Sequence, residues 1–303
     1  LKNKNSLIIK NDKIIKAEAS YDLMSTMRAG IIVLGPLLAR FGKARASIPG
    51  GCNLGFRPID IHLEALKKMG VKYKLVDGYI NAKAKNGLVG AKIKFPKISV
   101  GATENLMIAA CLAKGQTVLS NCAIEPEIKD LSNFLCSIGA KIVWTGRRQV
   151  KIIGIKTFKQ SNYKIMFDRI EAGTMLIAGA INQGNLKITG IESSILKTEI
   201  DLLKKIGAKI NQKKNEIIIK GNKKIKNINF KTSPYPGVAT DIQAQLMVLL
   251  CKANKRSTIK EDIFENRFQS IPELKRMNAK IEVKGNQAII EGNTIFKGAQ
   301  VMA

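Results

Sequence analysis

The segment PGGCNLGFRP, residues 49–58, places one cysteine among three glycines, with an arginine five residues after the cysteine. Glycines favour a loop whose backbone amides can approach an anion closely. The arginine, Arg57, can bind a phosphate group and favour the thiolate form of the neighbouring cysteine. The pattern leaves two interpretations open, a reactive Cys52 or a buried structural thiol.

Charged and polar residues also lie at the expected starts of helices. Arg28 would oppose the helix dipole there and needs an anionic partner. Asp241, in VATDIQAQL, lies at an expected N-cap; capping is the simpler interpretation, and a base acting on a sugar hydroxyl is the alternative. Residues 97–101, KISVG, form either an ordinary capped helix start or a phosphate cradle. A lone histidine, His62, is typical of a structural residue with its hydrogen bonds satisfied.

The composition excludes several classes of protein. A chain of 303 residues with 45% hydrophobic residues indicates a globular protein of about two domains. Its longest apolar run, residues 29–39, is too short to cross a bilayer, and the start of the chain has no signal-peptide pattern. The five cysteines form no C-x-x-C pair and there is one histidine, so we expect no metal, no cofactor and a cytoplasmic protein with reduced thiols. Three cysteines lie in apolar helical runs and are expected in the core, namely Cys111, Cys136 and Cys251.

The net charge of +28 allows two interpretations. Clustered lysines would indicate a nucleic-acid-binding module. The lysines are scattered, however, and only residues 220–231 approach a patch, without the aromatic residues of a base-stacking surface. We therefore favour an ordinary solvated surface that also attracts small anionic substrates, with no nucleic acid as partner.

The chain contains a fourfold repeat of about 70 residues. Each copy has an amphipathic helix, a left-handed C-cap and two strands that form a hairpin. The predicted cap positions, spaced by 69, 68 and 71 residues, are Gly70, Gly139, Gly207 and Asn278. The loops equivalent to 49–58 in the other copies lack a glycine-flanked cysteine, so packing alone is a weaker explanation for that thiol.

A second helix, rich in small apolar residues, precedes each hairpin helix, and a strand follows it. These helices are predicted at residues 27–41, 101–115, 170–184 and 241–254. The repeat is therefore a βαβαββ module, and the fold class is α/β with helices packed inside or against mixed sheets. Residues 6–10 match the last strand of a module, and the chain stops where another helix should begin, so we expect a protein incomplete at both ends.

The chain closely resembles the UDP-N-acetylglucosamine 1-carboxyvinyltransferases, an enolpyruvyl transferase family, across residues 21–303. The resemblance lies in YDLMSTMRAGIIVLGPLLARFG, IPGGCNLGFRPIDIH, KISVGAT, EPEI, FDRIEAGT, ATDIQAQ and IFENRFQSIPELKRM. It implies a two-domain inside-out α/β barrel, with a first domain at 1–167 and a second at 168–303. It also implies transfer of the enolpyruvyl group of phosphoenolpyruvate to the 3′-hydroxyl of UDP-N-acetylglucosamine, with release of phosphate, in peptidoglycan synthesis.

The resemblance implies roles for individual residues. Cys52 would donate a proton to the methylene carbon, form a covalent adduct with phosphoenolpyruvate and react with fosfomycin, while Asp241 would lie beside the attacking hydroxyl. Nucleotide-sugar contacts are implied for Arg28, Arg57, Pro58, Ile59, Asp60, Ile61, Lys97, Ile98, Ser99, Val100 and Ile263, and Arg267 is a further candidate. The implied partners are small-molecule substrates only; the oligomeric state stays open.

Two departures from the family pattern limit this interpretation. The family's Lys-Asn pair near the N-terminus has no counterpart, and the arginines of its last module are absent, so we expect these 303 residues alone to be inactive or nearly so. The alternatives are a 5-enolpyruvylshikimate-3-phosphate synthase-like transferase, a basic RNA-binding module and a degenerate paralogue without activity.

Overall fold

A computed structural model of the chain describes residues 6–10, 16–48 and 59–302, without the side chain of Arg28. The described residues form two compact units. The first contains residues 6–10, 16–48, 59–122 and 131–161, and the second contains residues 123–130 and 162–302.

The first unit contains two four-stranded sheets with the same connectivity. The strands of the first sheet are β1 (Glu18–Ala19), β2 (Lys43–Ser47), β3 (Lys72–Val76) and β4 (Tyr79–Lys83), in the order β1-β2-β4-β3. Those of the second are β5 (Lys92–Lys94), β6 (Gln116–Ser120), β7 (Lys141–Gly146) and β8 (Gln149–Ile153), in the order β5-β6-β8-β7. In both sheets the first pair of strands is parallel and the last pair is an antiparallel hairpin, as a βαβαββ module requires.

Helices connect the strands of the first unit. They are α1 (Tyr21–Ser25), a 3-10 helix (Arg28–Val33), α2 (Leu34–Phe41), α3 (Asp60–Lys68), α4 (Val100–Ala110) and α5 (Pro126–Ser137), of which residues 131–137 belong to this unit. The predicted single helix over 27–41 is wrong, because α2 begins only at Leu34. Pro36 has no N–H group to donate, and in the interior of a helix its ring would clash with the carbonyl of residue 32. It is therefore tolerated in the first turn of a helix and not further inside one.

Helix α4 is buried on almost every side. Seven of its eleven residues are buried, and it packs against α2, α3, β6 and β8. A helix that is apolar all round must be covered all round, which explains its composition of small and apolar residues. At Gly35 the backbone of α2 lies close to α4. A Cβ atom added there would lie 2.2 Å from the Asn105 side-chain oxygen and 2.7 Å from the Asn105 carbonyl oxygen.

We expect Gly35→Ala to lower the free energy of unfolding by about 1–3 kcal/mol, because the added methyl would displace the backbone of α4. Gly173, in a helix of the second unit, is the matched control, since its nearest neighbour would be 3.6 Å from an added Cβ. Gly173→Ala should be neutral or stabilising by up to about 1 kcal/mol, because alanine favours a helix. Urea unfolding measures both variants, and a Gly35→Ala protein as stable as the wild type would contradict this packing.

The second unit contains a three-stranded and a four-stranded sheet. The strands are β9 (Asn185–Thr189), β10 (Lys209–Lys213) and β11 (Glu216–Lys220) in one sheet, and β12 (Asn229–Lys231), β13 (Ser257–Lys260), β14 (Ile281–Lys284) and β15 (Gln287–Ile290) in the other. The helices are α6 (Arg169–Ile181), α7 (Lys197–Ile206), α8 (Gln243–Cys251) and α9 (Ile271–Arg276), with 3-10 turns at Ser193–Leu196, Thr240–Ile242 and Arg267–Ser270. The core of this unit lies around α6 and α8, with Leu176, Leu246 and Leu250 fully buried.

The predicted C-caps are confirmed. Gly70, Gly139, Gly207 and Asn278 have positive φ angles of 90°, 101°, 112° and 77°. Each terminates a helix whose next residues enter a hairpin strand, so the fourfold repeat is a repeat of local backbone geometry. The predicted α/β fold class and its βαβαββ modules are therefore confirmed.

Candidate active site

Several predicted site residues lie outside the described part of the chain. They are Cys52, Arg57 and Pro58, together with the side chain of Arg28, whose backbone begins the 3-10 helix Arg28–Val33. The roles of these four residues stay predictions. The other predicted residues fall into two groups, one in each compact unit.

The group in the first unit lies at the starts of α3 and α4, which pack against each other. Ile59 precedes α3 and Asp60 is its first residue, with an exposed side chain. Ser99 caps α4, because its hydroxyl oxygen accepts a hydrogen bond of 3.3 Å from the Ala102 amide. Lys97, two residues earlier, is exposed. The simpler interpretation of residues 97–101, a capped helix start, is confirmed for Ser99.

A cleft lies between α3 and the segment of β5 and the residues after it. Its volume is about 160 Å³, and its lining residues are Asp60, Ile61, Glu64, Ala65, Lys68, Ile93, Lys94, Phe95 and Pro96. Two predicted substrate contacts, Asp60 and Ile61, therefore face the segment that leads to Lys97. Pockets that enclose a whole ligand usually measure 300 Å³ or more, so this cleft could accommodate only part of a nucleotide sugar.

His62 is a buried structural residue, as predicted. Its Nδ1 atom lies 3.0 Å from the Asn105 side-chain nitrogen, which also donates to the Ile31 carbonyl at 3.1 Å. The Asn105 oxygen accepts from the Gly35 amide at 2.8 Å, which fixes the orientation of the amide group. The nitrogen must then donate to His62, so Nδ1 of His62 is the acceptor and the ring proton lies on Nε2. Asn105 was not among the predicted site residues, although a lone asparagine in an apolar helix is a signal for such a network.

The group in the second unit centres on Asp241 and Arg267. Arg267 Nη2 lies 2.9 Å from Asp241 Oδ1, and Arg267 Nε donates to the Thr240 carbonyl at 3.0 Å. The Asp241 side chain is 54% exposed and that of Arg267 is 14% exposed. A carboxylate fixed by one oxygen and open to solvent can accept a proton from a bound hydroxyl group.

The capping interpretation of Asp241 is wrong. Asp241 lies inside the 3-10 turn Thr240–Ile242, and its carboxylate makes no capping hydrogen bond to this turn or to α8. The reason is geometric, because the 3-10 turn moves the start of α8 to Gln243 and turns Asp241 towards Arg267. Ile263, the remaining predicted contact, is half-buried, and its amide donates to Glu261 at 2.8 Å.

The second unit also contains a cluster of ionic residues for which the sequence carries no local pattern. Arg169 makes two hydrogen bonds with Glu127, at 2.8 and 2.7 Å, and its side chain is 10% exposed. Glu199 is buried nearby. Burial raises the pKa of its carboxyl group, and the positive charge of Arg169 partly lowers it. Glu125 is also buried, and one of its carboxylate oxygens has no hydrogen-bond partner among the described residues.

Of the described cysteines, three are buried and one is exposed, and none of these four forms a disulfide bond. Cys111 and Cys251 are buried as predicted, and burial raises their pKa values to about 12 and about 11. The prediction for Cys136 is wrong, because this residue is exposed. The buried face of α5 contains Leu135, and the next residue is turned by about 100° around the helix axis.

The fold is similar to that of solved enolpyruvyl transferases. The enolpyruvyl transferase NikO from Streptomyces tendae matches with a TM-score of 0.82 and 24% identity, over 92% of this chain and 66% of that chain. An EPSP synthase from Acinetobacter baumannii matches with a TM-score of 0.66 and 18% identity, over 88% of this chain and 64% of that one. These likenesses define the class of the fold, that of an enolpyruvyl transferase.

Sequence comparison defines the family more closely. The family profile described as EPSP synthase (3-phosphoshikimate 1-carboxyvinyltransferase) matches residues 1–303. UDP-N-acetylglucosamine 1-carboxyvinyltransferases are 66% identical over 301 residues in Pelagibacter ubique and 48% identical over 301 residues in Geotalea uraniireducens. The chain covers 72% of the length of each of these relatives. It belongs to the enolpyruvyl transferase family and, within it, to the UDP-N-acetylglucosamine 1-carboxyvinyltransferases.

None of the helices in the described residues has the length and apolar character that crossing a membrane requires. In the same part of the chain, no three His, Cys, Asp or Glu side chains are grouped so that they could hold a metal ion.

Proposed function

We propose that this protein transfers the enolpyruvyl group of phosphoenolpyruvate to the 3′-hydroxyl of UDP-N-acetylglucosamine and releases phosphate, a step of peptidoglycan synthesis. The observation that carries the proposal is the 66% identity over 301 residues to a UDP-N-acetylglucosamine 1-carboxyvinyltransferase. Because the chain covers 72% of that relative, the proposal concerns the full-length gene product.

The reaction divides into an addition and an elimination. In the addition, the 3′-oxygen bonds to C2 of phosphoenolpyruvate, the hydroxyl proton passes to Asp241, and C3 receives a proton from Cys52. In the elimination, the C2–O bond to phosphate breaks, the Cys52 thiolate takes one proton back from C3, which restores the vinyl group, and the proton held by Asp241 passes to the departing phosphate. Electrons balance without an oxidant or a reductant, so the proposed chemistry uses no redox cofactor.

The described residues support the assignment of Asp241. Its carboxylate is accessible and is held by Arg267 at 2.9 Å, so one oxygen is fixed and the carboxylate stays within reach of a bound ligand. Arg267 also adds positive charge where a phosphorylated anion must bind. In the first unit, Asp60, Ile61 and the residues from Lys97 to Val100 are proposed contacts of the nucleotide sugar, and Asp60 and Ile61 line the cleft of about 160 Å³.

The remaining assignments are also proposals. We propose Cys52 as the proton donor and the site of the covalent adduct, with Arg28, Arg57, Pro58, Ile59 and Ile263 as further substrate contacts. We propose the division into domains at Phe167 and Asp168, and a cytoplasmic location, where phosphoenolpyruvate and nucleotide sugars are available.

Phosphate release tests the proposed function. The full-length gene product is given phosphoenolpyruvate with UDP-N-acetylglucosamine or with shikimate 3-phosphate. We expect phosphate release with the first acceptor only. The second acceptor represents the other candidate function, which the description of the matching family profile favours. Release with shikimate 3-phosphate alone, or with neither acceptor, would overturn the proposal.

A further inference from the structure

We propose that Glu261 is a positioning residue for Asp241 and for the segment that follows β13. It holds together the two stretches of chain from which Asp241, Ile263 and Arg267 project. The inference rests on the proposed function, in which Asp241 lies beside the acceptor hydroxyl group. Glu261 itself would contact neither substrate.

The carboxylate of Glu261 is buried and fully engaged. The residue is 4% exposed and follows directly after β13. An ionised carboxylate in such a place requires several donors, because burial without hydrogen bonds is costly. Its oxygens accept four hydrogen bonds, from Thr232 Oγ1 at 2.8 Å, Thr240 Oγ1 at 3.0 Å, the Ile263 amide at 2.8 Å and the Phe264 amide at 3.1 Å.

Two of these bonds shape the turn after β13. The amides of Ile263 and Phe264 both donate to Oε1 of Glu261, so the chain turns tightly around its own carboxylate. The hydroxyl of Thr232 donates to the same oxygen and accepts from the Asp262 amide at 3.0 Å. The turn is thereby attached to the end of β12, and it directs the chain towards Arg267.

The other carboxylate oxygen contacts the 3-10 turn that precedes α8. Oε2 accepts from the hydroxyl of Thr240, the residue before Asp241. The carbonyl of the same threonine accepts from Arg267 Nε at 3.0 Å, and Arg267 Nη2 contacts Asp241 at 2.9 Å. Thr240 is therefore held on both sides, by Glu261 through its side chain and by Arg267 through its backbone.

The contrast between the two acids defines their roles. The side chain of Asp241 is 54% exposed, and its carboxylate has one described partner. Glu261 as a residue is 4% exposed, and its carboxylate accepts four hydrogen bonds. Glu261 cannot serve as a second base, since its oxygens already face donors and solvent does not reach them. It can set the position of Asp241, and displacements of about 1 Å near a reacting group cost about 100-fold in rate.

The experiment compares Glu261→Ala with Glu261→Gln in the full-length gene product. In Glu261→Gln, the side-chain oxygen can accept hydrogen bonds from the Thr232 hydroxyl and from the backbone amides of Ile263 and Phe264. The side-chain NH2 group can donate to the Thr240 hydroxyl, which then accepts a hydrogen bond where it donates one in the wild type. We expect Glu261→Gln to keep kcat within about threefold of wild type. Glu261→Ala should lower kcat about 10- to 100-fold, and the KM for UDP-N-acetylglucosamine should rise by a smaller factor, because the segment of Ile263, a proposed substrate contact, is loosened as well.

Ile217→Ala is the control for lost stability. Ile217 is fully buried in β11, in the other sheet of this unit, so its truncation destabilises the fold without touching Thr240 or Glu261. We expect this control to lower the unfolding temperature and to leave kcat unchanged below that temperature. A similar loss of kcat in Ile217→Ala and Glu261→Ala would mean that stability alone accounts for the effect, and would overturn the inference.

Amide hydrogen exchange separates this inference from the proposed function. In Glu261→Ala, we expect faster exchange at residues 239–243 and 261–267 and unchanged exchange in β9 to β11. If the Ile263 and Phe264 amides of Glu261→Ala exchange at the wild-type rate, the inference is overturned, whatever the activity. Faster exchange at these amides together with an unchanged kcat would also overturn it. A wild-type protein that releases no phosphate refutes the proposed function, and exchange then decides by itself whether Glu261 orders the two segments.

Discussion

Asp241→Asn should reduce the rate of phosphate release by a factor of about 100 to 10,000, the usual contribution of a positioned general base. Asparagine has the shape of aspartate, and its oxygen can still accept the Arg267 hydrogen bond of 2.9 Å, but it cannot take the proton of the attacking hydroxyl group. We therefore expect kcat to fall while the KM for UDP-N-acetylglucosamine changes little. Steady-state kinetics of the full-length gene product measures both constants.

Stability should hardly change in this variant. The Asp241 side chain is 54% exposed, and an ion pair with so exposed a partner contributes about 1 kcal/mol or less. Asp201, exposed on α7, is the matched control, since Asp201→Asn makes the same chemical change away from the site. An Asp241→Asn protein with more than about a third of the wild-type kcat would contradict the assignment of Asp241 as the base.

The repeat could be predicted from the sequence because its signals are local. A left-handed cap followed by alternating apolar residues specifies the end of a helix and a hairpin, and the caps at Gly70, Gly139, Gly207 and Asn278 were predicted correctly. The first strands that the structure describes, one in each of three modules, could not be located in the same way. β1, β5 and β12 have two or three residues each, which is too short for a periodic pattern, and they form because a parallel neighbour is present.

The site could be predicted only in part. Asp241 and Arg267 were identified as single residues, but they are 26 positions apart and their contact depends on the turn after β13. Glu261 was not predicted, because two of its four donors, the Thr232 and Thr240 hydroxyls, are 29 and 21 positions away in the chain. The same holds for Arg169 and Glu127, which are 42 positions apart. Long-range polar contacts of this kind leave a pattern in space and none along the sequence.

Arg169→Met should lower the free energy of unfolding by about 3 kcal/mol, the low end of the range for breaking a buried ion pair. The low end applies because Glu127 is 40% exposed and can be hydrated once its partner is gone, whereas Arg169 is 10% exposed. The control is Arg256→Met, which removes the surface pair with Glu291 and should cost less than about 1 kcal/mol. Urea unfolding of both variants gives the difference, and equal losses would contradict a stabilising role for the buried pair.

The pH dependence of this loss follows from Glu199. Burial raises the pKa of Glu199 in the folded state above its ordinary value of 4.5, and Arg169 opposes that rise. A carboxyl group with a raised pKa favours folding below its ordinary pKa, and this contribution is lost as the pH rises through the folded-state pKa. Without Arg169, ionisation of Glu199 opposes folding more strongly. The loss of unfolding free energy in Arg169→Met should therefore be larger at about pH 7 than at about pH 4.

The double variant Arg169→Met with Glu199→Gln isolates this effect. Glutamine cannot ionise, so it should recover part of the loss at about pH 7 and little at about pH 4, where the glutamate is largely protonated. Glu199→Gln alone should be at least as stable as the wild type at about pH 7, because burial penalises the ionised side chain that it replaces. A Glu199→Gln protein that is less stable than the wild type at that pH would show that Glu199 is ionised and stabilised by Arg169.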